Sequence, residues 1–450
     1  MIGAIAQLHQ EYLDQKISPL DVCQEVLQQA TRLNPALNVF TEILHDAALR
    51  AAKDSARRYR ESRPLSLLDG IPISVKDLFH IKGTVTRCGS RAADSVSQTH
   101  DAVLVDQLRD LGTVLFGKTN LLEYAYGMVH PDVGPARNPW DPRRTIGGSS
   151  SGSAAAVATG LGLASMGTDT AGSIRNPAAL GGVVGFKPTY GRLSVEGLVP
   201  LSPSLDHVGF LAPSVPDIRV IFQALATEER LAPPDQVKHW RINAIDLPFT
   251  TPEVKQVIAA FIGTLQSTQS IAEDFSFDWE TANAAALTII SAEAHAIHAE
   301  RLPHHWEDYG EGTRVRLAAG RNISLPDYLR ARQVTQYLKN AWEHRAQGFE
   351  FLILPTLPMT APLEEEHIGE DLVAATLYTS AFALLGVPAI SVPIGITASG
   401  LPVGLQIVGH GGQDHAVLEF AQYVEEIRGP FPHAPIYSEI GEKSEANHGK

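Results

Sequence analysis

Apolar and polar residues alternate along this 450-residue chain with two different periods. Near the start the period is helical. Ile17-Ser18-Pro19-Leu20 places a capping serine before a proline at the first helical position, and Val22, Val26 and Leu27 follow at helical spacing. Asn34-Pro35 punctuates this helix, and His45 to Arg60 reads as a second helix, rich in Ala and Arg. From Gly70 the style changes: Ile71-Pro72-Ile73-Ser74-Val75 is a short β-prone run that ends at Lys76-Asp77. Asp101 to Leu111 predicts an amphipathic helix, and Thr113 to Phe116 a short buried strand. Residues 131–152 form a long loop of Pro, Gly, Arg and Ser, and Ser153 to Leu163 a helix of small residues. Residues 211–345 carry longer and more charged helical patterns. Strand character returns in Phe351 to Pro355 and Ala389 to Pro393, and His415 to Ile427 closes as a helix. Helices and strands in alternation predict an α/β fold. With no internal repeat and no strongly polar linker, one large domain is expected.

Composition narrows the partners. Lys plus Arg number 36 against 50 Asp plus Glu, a net charge of −14. Nucleic acid and anionic membrane both require clustered basic charge, so neither is expected as a partner. Two cysteines, Cys23 and Cys88, cannot build a disulfide framework or a Cys-rich zinc site. Met1 to Gln10 lacks the basic and apolar segments of a secretory signal, which makes the cytoplasm the expected compartment. Two stretches carry no Asp, Glu, Lys or Arg: Thr145 to Thr168 and Leu372 to Gln413. The second is broken by Pro388, Pro393 and Pro402, and its apolar part, Leu372 to Leu385, has the length of a buried core helix. The first starts with Gly and Ser and continues with Ala and Gly, so it is no better as a membrane span. Its collection of small residues asks for another explanation.

Several motifs match on paper and fail on context. Gly112 to Thr119 fits G-x-x-x-x-G-K-T, but a phosphate loop needs its middle residues in a loop after a strand, and here they are the strand. Gly148-Ser149-Ser150-Ser151-Gly152 fits G-x-S-x-G, yet a nucleophile elbow needs a strand directly before it, and Arg137 to Ile146 is a proline-interrupted loop. His295, His298, His304 and His305 lack the spacing of a zinc site and read as solvated histidines on a helix and its exit loop. Asn322-Ile323-Ser324 is a chance glycosylation sequon.

Three elements remain. Lys76 ends an apolar strand, where burial disfavours its charged form and a neutral amine can act as a base; the bland alternative is a lysine paired with Asp77. Gly147 to Ser153 and Gly167 to Arg175 are runs of small residues whose amides can approach a substrate closely and hold an oxyanion; the bland alternative is a Gly/Ser turn with close helix packing.

Taken together these segments resemble the amidase signature family, whose core is a Gly-Ser-rich stretch followed by a T-D-x-G-G-S-I-R segment. Gly147 to Ala156, Thr168 to Pro177 and Gly181 to Ser194 carry the likeness. Gly117 to Glu123, Gly386 to Ile390 and Gly400 to Gln406 extend it. The resemblance covers roughly residues 15–210 and 350–425. It implies one α/β domain over 1–440, with a twisted mixed β-sheet covered by α-helices. Its core would be 65–210 and 350–430, its variable helical region 211–345, and 441–450 a polar tail. It also implies a Ser–cis-Ser–Lys triad: Ser173 as nucleophile, Ser149 as the bridging serine after a cis peptide, and Lys76 as base. The oxyanion would be held by the backbone amides of Thr170, Ala171, Gly172 and Ser173. Ala171 and Ser151 stand where the family more often has glycine. Asp169 and Arg175 are expected to pair across their loop. The pocket would draw on Tyr124 to His130, in particular Tyr126, Gly127 and Met128, and on the divergent 211–345 region. The implied reaction is hydrolysis of a carboxylic amide to the acid and ammonia or an amine, with esters or carbamates as side substrates. Neither metal nor cofactor enters it. The implied partners are a small-molecule amide substrate and at most a second copy of the chain in a homodimer. Two rivals stand beside this reading. One is the glutaminase half of a tRNA-dependent amidotransferase, which usually has Gln where this chain has Asn176. The other is a binding protein that kept the fold without the chemistry.

Overall fold

Every residue from Pro72 to Lys76 is buried, the mark of a strand covered on both faces. The computed structural model describes residues 3–126, 128–226, 240–245, 249–364 and 370–435. Among them eleven strands form one mixed sheet. In chain order they are β1 Phe40–Ile43, β2 Pro72–Lys76, β3 Val114–Thr119, β4 Ala164–Asp169, β5 Val184–Lys187 and β6 His207–Ala212. There follow β7 Arg241–Ala244, β8 Ser270–Ala272, β9 Phe351–Pro355, β10 Ala389–Ile396 and β11 Pro402–Val408. The spatial order is β1-β3-β2-β4-β6-β5-β10-β11-β9-β7-β8. Strands β3, β2 and β4 run parallel, so their C-terminal ends share one edge of the sheet. The centre from β4 to β9 is antiparallel, and β9, β7 and β8 are parallel again.

Thirteen helices surround the sheet among the described residues. The first seven are α1 Ala4–Leu13, α2 Pro19–Leu37, α3 His45–Arg60, α4 Val103–Asp110, α5 Ser151–Ala158, α6 Arg175–Gly181 and α7 Val215–Leu225. The other six are α8 Pro252–Gln266, α9 Trp279–His298, α10 Glu311–Ala319, α11 Leu325–Arg345, α12 Glu370–Leu385 and α13 Asp414–Arg428. The architecture is a single α/β domain. No helix among the described residues is long and apolar enough to cross a membrane. The expected tail 441–450, Gly127 and parts of 211–345 lie outside the described residues.

The charge-free segment before β4 now has a physical cause. Helix α5 is buried at all eight of its positions, where an unpaired charge would be costly, and it carries none. It runs Ser151–Ala158 rather than Ser153 to Leu163, because the Gly160–Gly162 turn ends it early. A Cβ on Gly152 would meet Val39 O at 2.4 Å and Asn120 N at 2.5 Å, so this contact admits only glycine. The second charge-free run supplies the end of α12 and the pair β10–β11, where Tyr378 and Ala381 to Leu385 are buried.

Three readings from the sequence are corrected. Helix α2 continues through Pro35 to Leu37. The Asn34-Pro35 stop acts one turn late: Asn34 Oδ1 accepts from Phe40 N at 2.7 Å, and Asn38 closes the helix at φ 51°. The 211–345 region is not purely helical. It adds β7 and β8, which are four and three residues long and too short to show an alternating pattern. Finally, His298 is buried rather than solvated, with Nδ1 at 2.8 Å from the Tyr309 hydroxyl.

Candidate active site

The parallel strands β2 and β4 end side by side, and open α/β sheets bind ligands beyond such strand ends. Strand β2 delivers Lys76, and β4 delivers Thr168 and Asp169. Lys76 is wholly buried, and its Nζ donates to Ser149 Oγ at 2.7 Å, Thr168 Oγ1 at 2.8 Å and Ser150 Oγ at 3.0 Å. The bland pairing with Asp77 does not occur. Adjacent strand residues point to opposite faces, and Asp77 meets Lys118 at 2.5 Å and accepts from Thr41 Oγ1 at 2.7 Å. That also settles the Gly117-Lys118-Thr119 motif, whose lysine is spent inside the sheet. Burial lowers the Lys76 pKa from the ordinary lysine value to about 7, against the opposing pull of the Asp169 and Asp206 carboxylates.

The Gly148–Ser149 peptide is cis. Of the two serines that touch Lys76, Ser149 opens onto a cavity. Ser150 faces inward, its Oγ donating to Thr168 O at 3.2 Å and its amide to Ser173 O at 3.1 Å. Ser151 begins α5.

The segment from β4 to α6 is folded around one carboxylate. Asp169 Oδ1 accepts from Arg175 Nη2 at 2.8 Å and Gly172 N at 2.7 Å, while Oδ2 accepts from Arg175 Nε at 2.9 Å and Ile174 N at 3.2 Å. Burial pushes the Asp169 pKa up, but the charge and forked hydrogen bonds of Arg175 outweigh it and hold the carboxyl below the usual range. Arg175 also donates to Gln406 Oε1 at 2.6 Å and Thr379 O at 3.0 Å, and Thr379 Oγ1 donates to Ala171 O at 2.6 Å. The Asp169–Arg175 pair was legible in the sequence; Gln406 and Thr379 were not. Gly172, at φ 123°, leaves no space for a side chain, since a Cβ would lie 2.2 Å from Thr379 Oγ1. Its amide is committed to Asp169, which removes it from the expected oxyanion donors in this state.

The cavity encloses ≈ 310 Å³. Ser149, Thr170, Ala171 and Ser173 line its floor, and Leu287, Ile290 and Ser291 of α9 with Arg316 of α10 form a wall. Tyr126 lies on that wall, donating to Ser291 Oγ at 3.0 Å and accepting at its carbonyl from Arg316 at 3.1 Å. Met128 does not line the cavity; it is exposed and lies against Gly312 of α10. Arg316 makes no ion pair among the described residues and was missed from the sequence, where one arginine on a polar helix reads as a solvated face. A larger crevice of ≈ 530 Å³ beside β7 and β8 contains none of these groups.

The family model described as Amidase matches residues 21–418. The chain belongs to the amidase family. It is a hydrolase of amide C–N bonds. One similar protein is the glutamyl-tRNA(Gln) amidotransferase A chain from Thermosynechococcus vestitus, 32% identical over 94% of this chain and 98% of its own length. A crystal structure described as an amidase superposes with a TM-score of 0.87 at 35% identity, covering 95% of this chain and all of that one. The native peptide amidase from Stenotrophomonas maltophilia superposes with a TM-score of 0.81 at 28% identity, covering 95% of this chain and 98% of its own.

Proposed function

We propose that this amidase acts through an acyl-enzyme on Ser173, with Ser149 bridging to Lys76 as base, on the amide of an acid that bears a second, anionic group. One observation carries the catalytic part: Lys76 is wholly buried and touches three hydroxyls, while the neighbouring Asp77 is taken by Lys118. With its pKa brought to about 7, a substantial neutral fraction exists near neutral pH. Lys76 Nζ takes the Ser149 proton, and Ser149 takes that of Ser173 as Ser173 Oγ bonds to the carbonyl carbon. The amides of Thr170, Ala171 and Ser173 hold the resulting oxyanion. Collapse breaks the C–N bond, and the relay returns its proton to the leaving nitrogen. Water, deprotonated through the same relay, then cleaves the acyl-enzyme. Esters and carbamates fit the same steps.

Arg316 supports the substrate class. It is a cation on the cavity wall without an ion pair among the described residues, placed to meet a carboxylate remote from the scissile bond. The names of the curated relatives favour a second reading, the glutaminase half of a tRNA-dependent amidotransferase. Against it, no Asp or Glu lines the cavity among the described residues, so the ammonium of glutamine finds no counter-charge. Asn176, in place of the usual Gln, points the same way. On the first reading the enzyme works alone in the cytoplasm on a small-molecule amide.

The test is ammonia release by the isolated protein from neutral aliphatic, aromatic and carboxylate-bearing amides and from glutamine, alongside fluorophosphonate labelling. Carboxylate-bearing amides are expected to be the best substrates. Ser173→Ala should lose the adduct and all turnover, and Lys76→Ala should lose roughly 10²–10⁴-fold. Near-normal rates in either variant refute the triad. Absence of an adduct on the folded wild type favours a non-catalytic binding protein. Hydrolysis of glutamine only with added partner proteins favours the second reading.

A further inference from the structure

Asp206 lies just before β6, is 4% exposed, and has no part in the steps above. Its two oxygens hold different parts of the site. Oδ1 accepts from Thr170 Oγ1 at 2.7 Å, on the loop whose amides face the reacting carbonyl. Oδ2 accepts from the amides of Leu201 at 2.9 Å and Ser202 at 3.0 Å, and Leu201 lines the cavity. The same 201–206 segment is gripped from its other side by Glu293 of α9. Glu293 accepts from Ser202 Oγ at 2.6 Å, Ser204 Oγ at 2.5 Å and Ser204 N at 3.1 Å, and Tyr328 of α11 donates to it at 2.8 Å. The cavity lip is thus a strap between two carboxylates, one on the wall side and one at the reactive loop.

We propose that Asp206 is a positioning residue of the amidase reaction: one oxygen fixes Thr170 and the other fixes the Leu201–Ser202 lip. The charged and titratable groups around it can be named. Lys76 of β2 has Asp169 and Asp206 as its acidic neighbours, and both favour its protonated form. Glu293 of α9 faces Asp206 as a like charge, and Arg332 of α11 lies 3.7 Å from Glu293. Tyr190 packs edge-on against His207, the next residue, which burial holds neutral. Burial raises the Asp206 pKa to about 6, against the hydrogen bonds of Thr170, Leu201 and Ser202, so the carboxylate form prevails at neutral pH.

The proposal rests on Lys76 as base, and its sign follows from that. Activity requires neutral Lys76 and therefore falls as pH drops through the Lys76 pKa. A nearby negative charge raises that pKa; removing it lowers it. In Asp206→Asn the acid limb of kcat/KM should move to lower pH by on the order of half a unit or more. Thr170→Val keeps the charge but cuts the tie to the loop. It should lose roughly 10–100-fold in kcat with the acid limb where it was. Ser173 labelling by a fluorophosphonate at high pH reports that each variant folds and keeps its nucleophile. An unmoved limb in Asp206→Asn overturns the charge role, since a merely structural residue would change amplitude alone. A kcat within twofold of wild type in Thr170→Val overturns the positioning role, and stands as a test even if Asp206→Asn does not fold. If Lys76→Ala keeps near-normal turnover, it is the triad that fails, a result distinct from either of these.

Discussion

The floor of the cavity and its wall are built on different principles. The floor rests on a closed network. Lys76, Thr168, Asp169, Arg175, Thr379 and Gln406 are all buried, and each polar group meets another at hydrogen-bond distance. The wall is open. Apolar residues of α9 share it with Arg316, whose guanidinium is tied at one carbonyl and otherwise faces the cavity without a counter-charge among the described residues. Chemistry needs fixed geometry, and the floor obtains it by hydrogen bonds that leave little to rearrange. Selectivity needs only side chains projecting from helices, which can be exchanged without touching the relay.

The largest expected effect comes from breaking the floor. Arg175→Met removes one partner of a fully buried pair and leaves Asp169 with backbone amides as its hydrogen-bond donors and no direct ion pair. Such a break costs about 3–5 kcal/mol. It should appear as a lower urea midpoint together with a large loss of kcat, because the 169–175 loop loses its anchor to Gln406 and Thr379. Adding Asp169→Asn should recover part of the stability but not the rate, since Asn cannot accept all the bonds that now shape the loop. A midpoint shift equivalent to less than about 1 kcal/mol for Arg175→Met would mean the floor does not rest on the closed network described.

The wall should respond differently. Arg316→Ala is expected to raise KM for carboxylate-bearing amides by roughly 10–100-fold, the worth of a hydrogen bond to a charged group. For short neutral amides KM and kcat should stay near wild type, and the urea midpoint should hardly move. If kcat for neutral amides falls as steeply as for charged ones, Arg316 belongs functionally to the floor and the division fails.

The two regions were not equally readable from the sequence. The floor's local parts were: Lys76 stands at the end of a β-prone run, Ser149 follows a double glycine, and Asp169 and Arg175 sit six residues apart on one loop. The helix cap at Ser18 and the span His45–Arg60 also follow from local signals. The anchors of Arg175 were hidden, because Gln406 is 231 residues away and Thr379 is 204. No periodicity reaches across such a distance; only the closing of the sheet brings them together. Strand geometry held one further signal: residues 76 and 77 of a strand must face opposite sides, which already argues against a Lys76–Asp77 pair. The wall was hidden for another reason. Arg316 cannot be told in the sequence from Arg314 two positions before it, which is paired with Glu307 and lies over Trp306, and strands β7 and β8 are too short to announce themselves.

The smallest expected effect tests where the wall ends. Tyr126 and Met128 are two positions apart in a segment that resembles one lying near the family's active site, yet they part company in space. Tyr126 is tied to Ser291 and Arg316 within the cavity, whereas Met128 is 40% exposed and packs beside Gly312 at the start of α10. Met128→Ala should therefore change kcat/KM by no more than about twofold for any amide, in line with an exposed substitution away from special features. Tyr126→Phe removes the hydroxyl that spans to Ser291, so it should raise KM several-fold for the carboxylate-bearing amides while leaving neutral ones alone, by loosening the support of Arg316. Steady-state kinetics on the two variants decide the matter: a larger effect at Met128 than at Tyr126 would place the specificity boundary outside the cavity, on the surface that α10 presents to solvent.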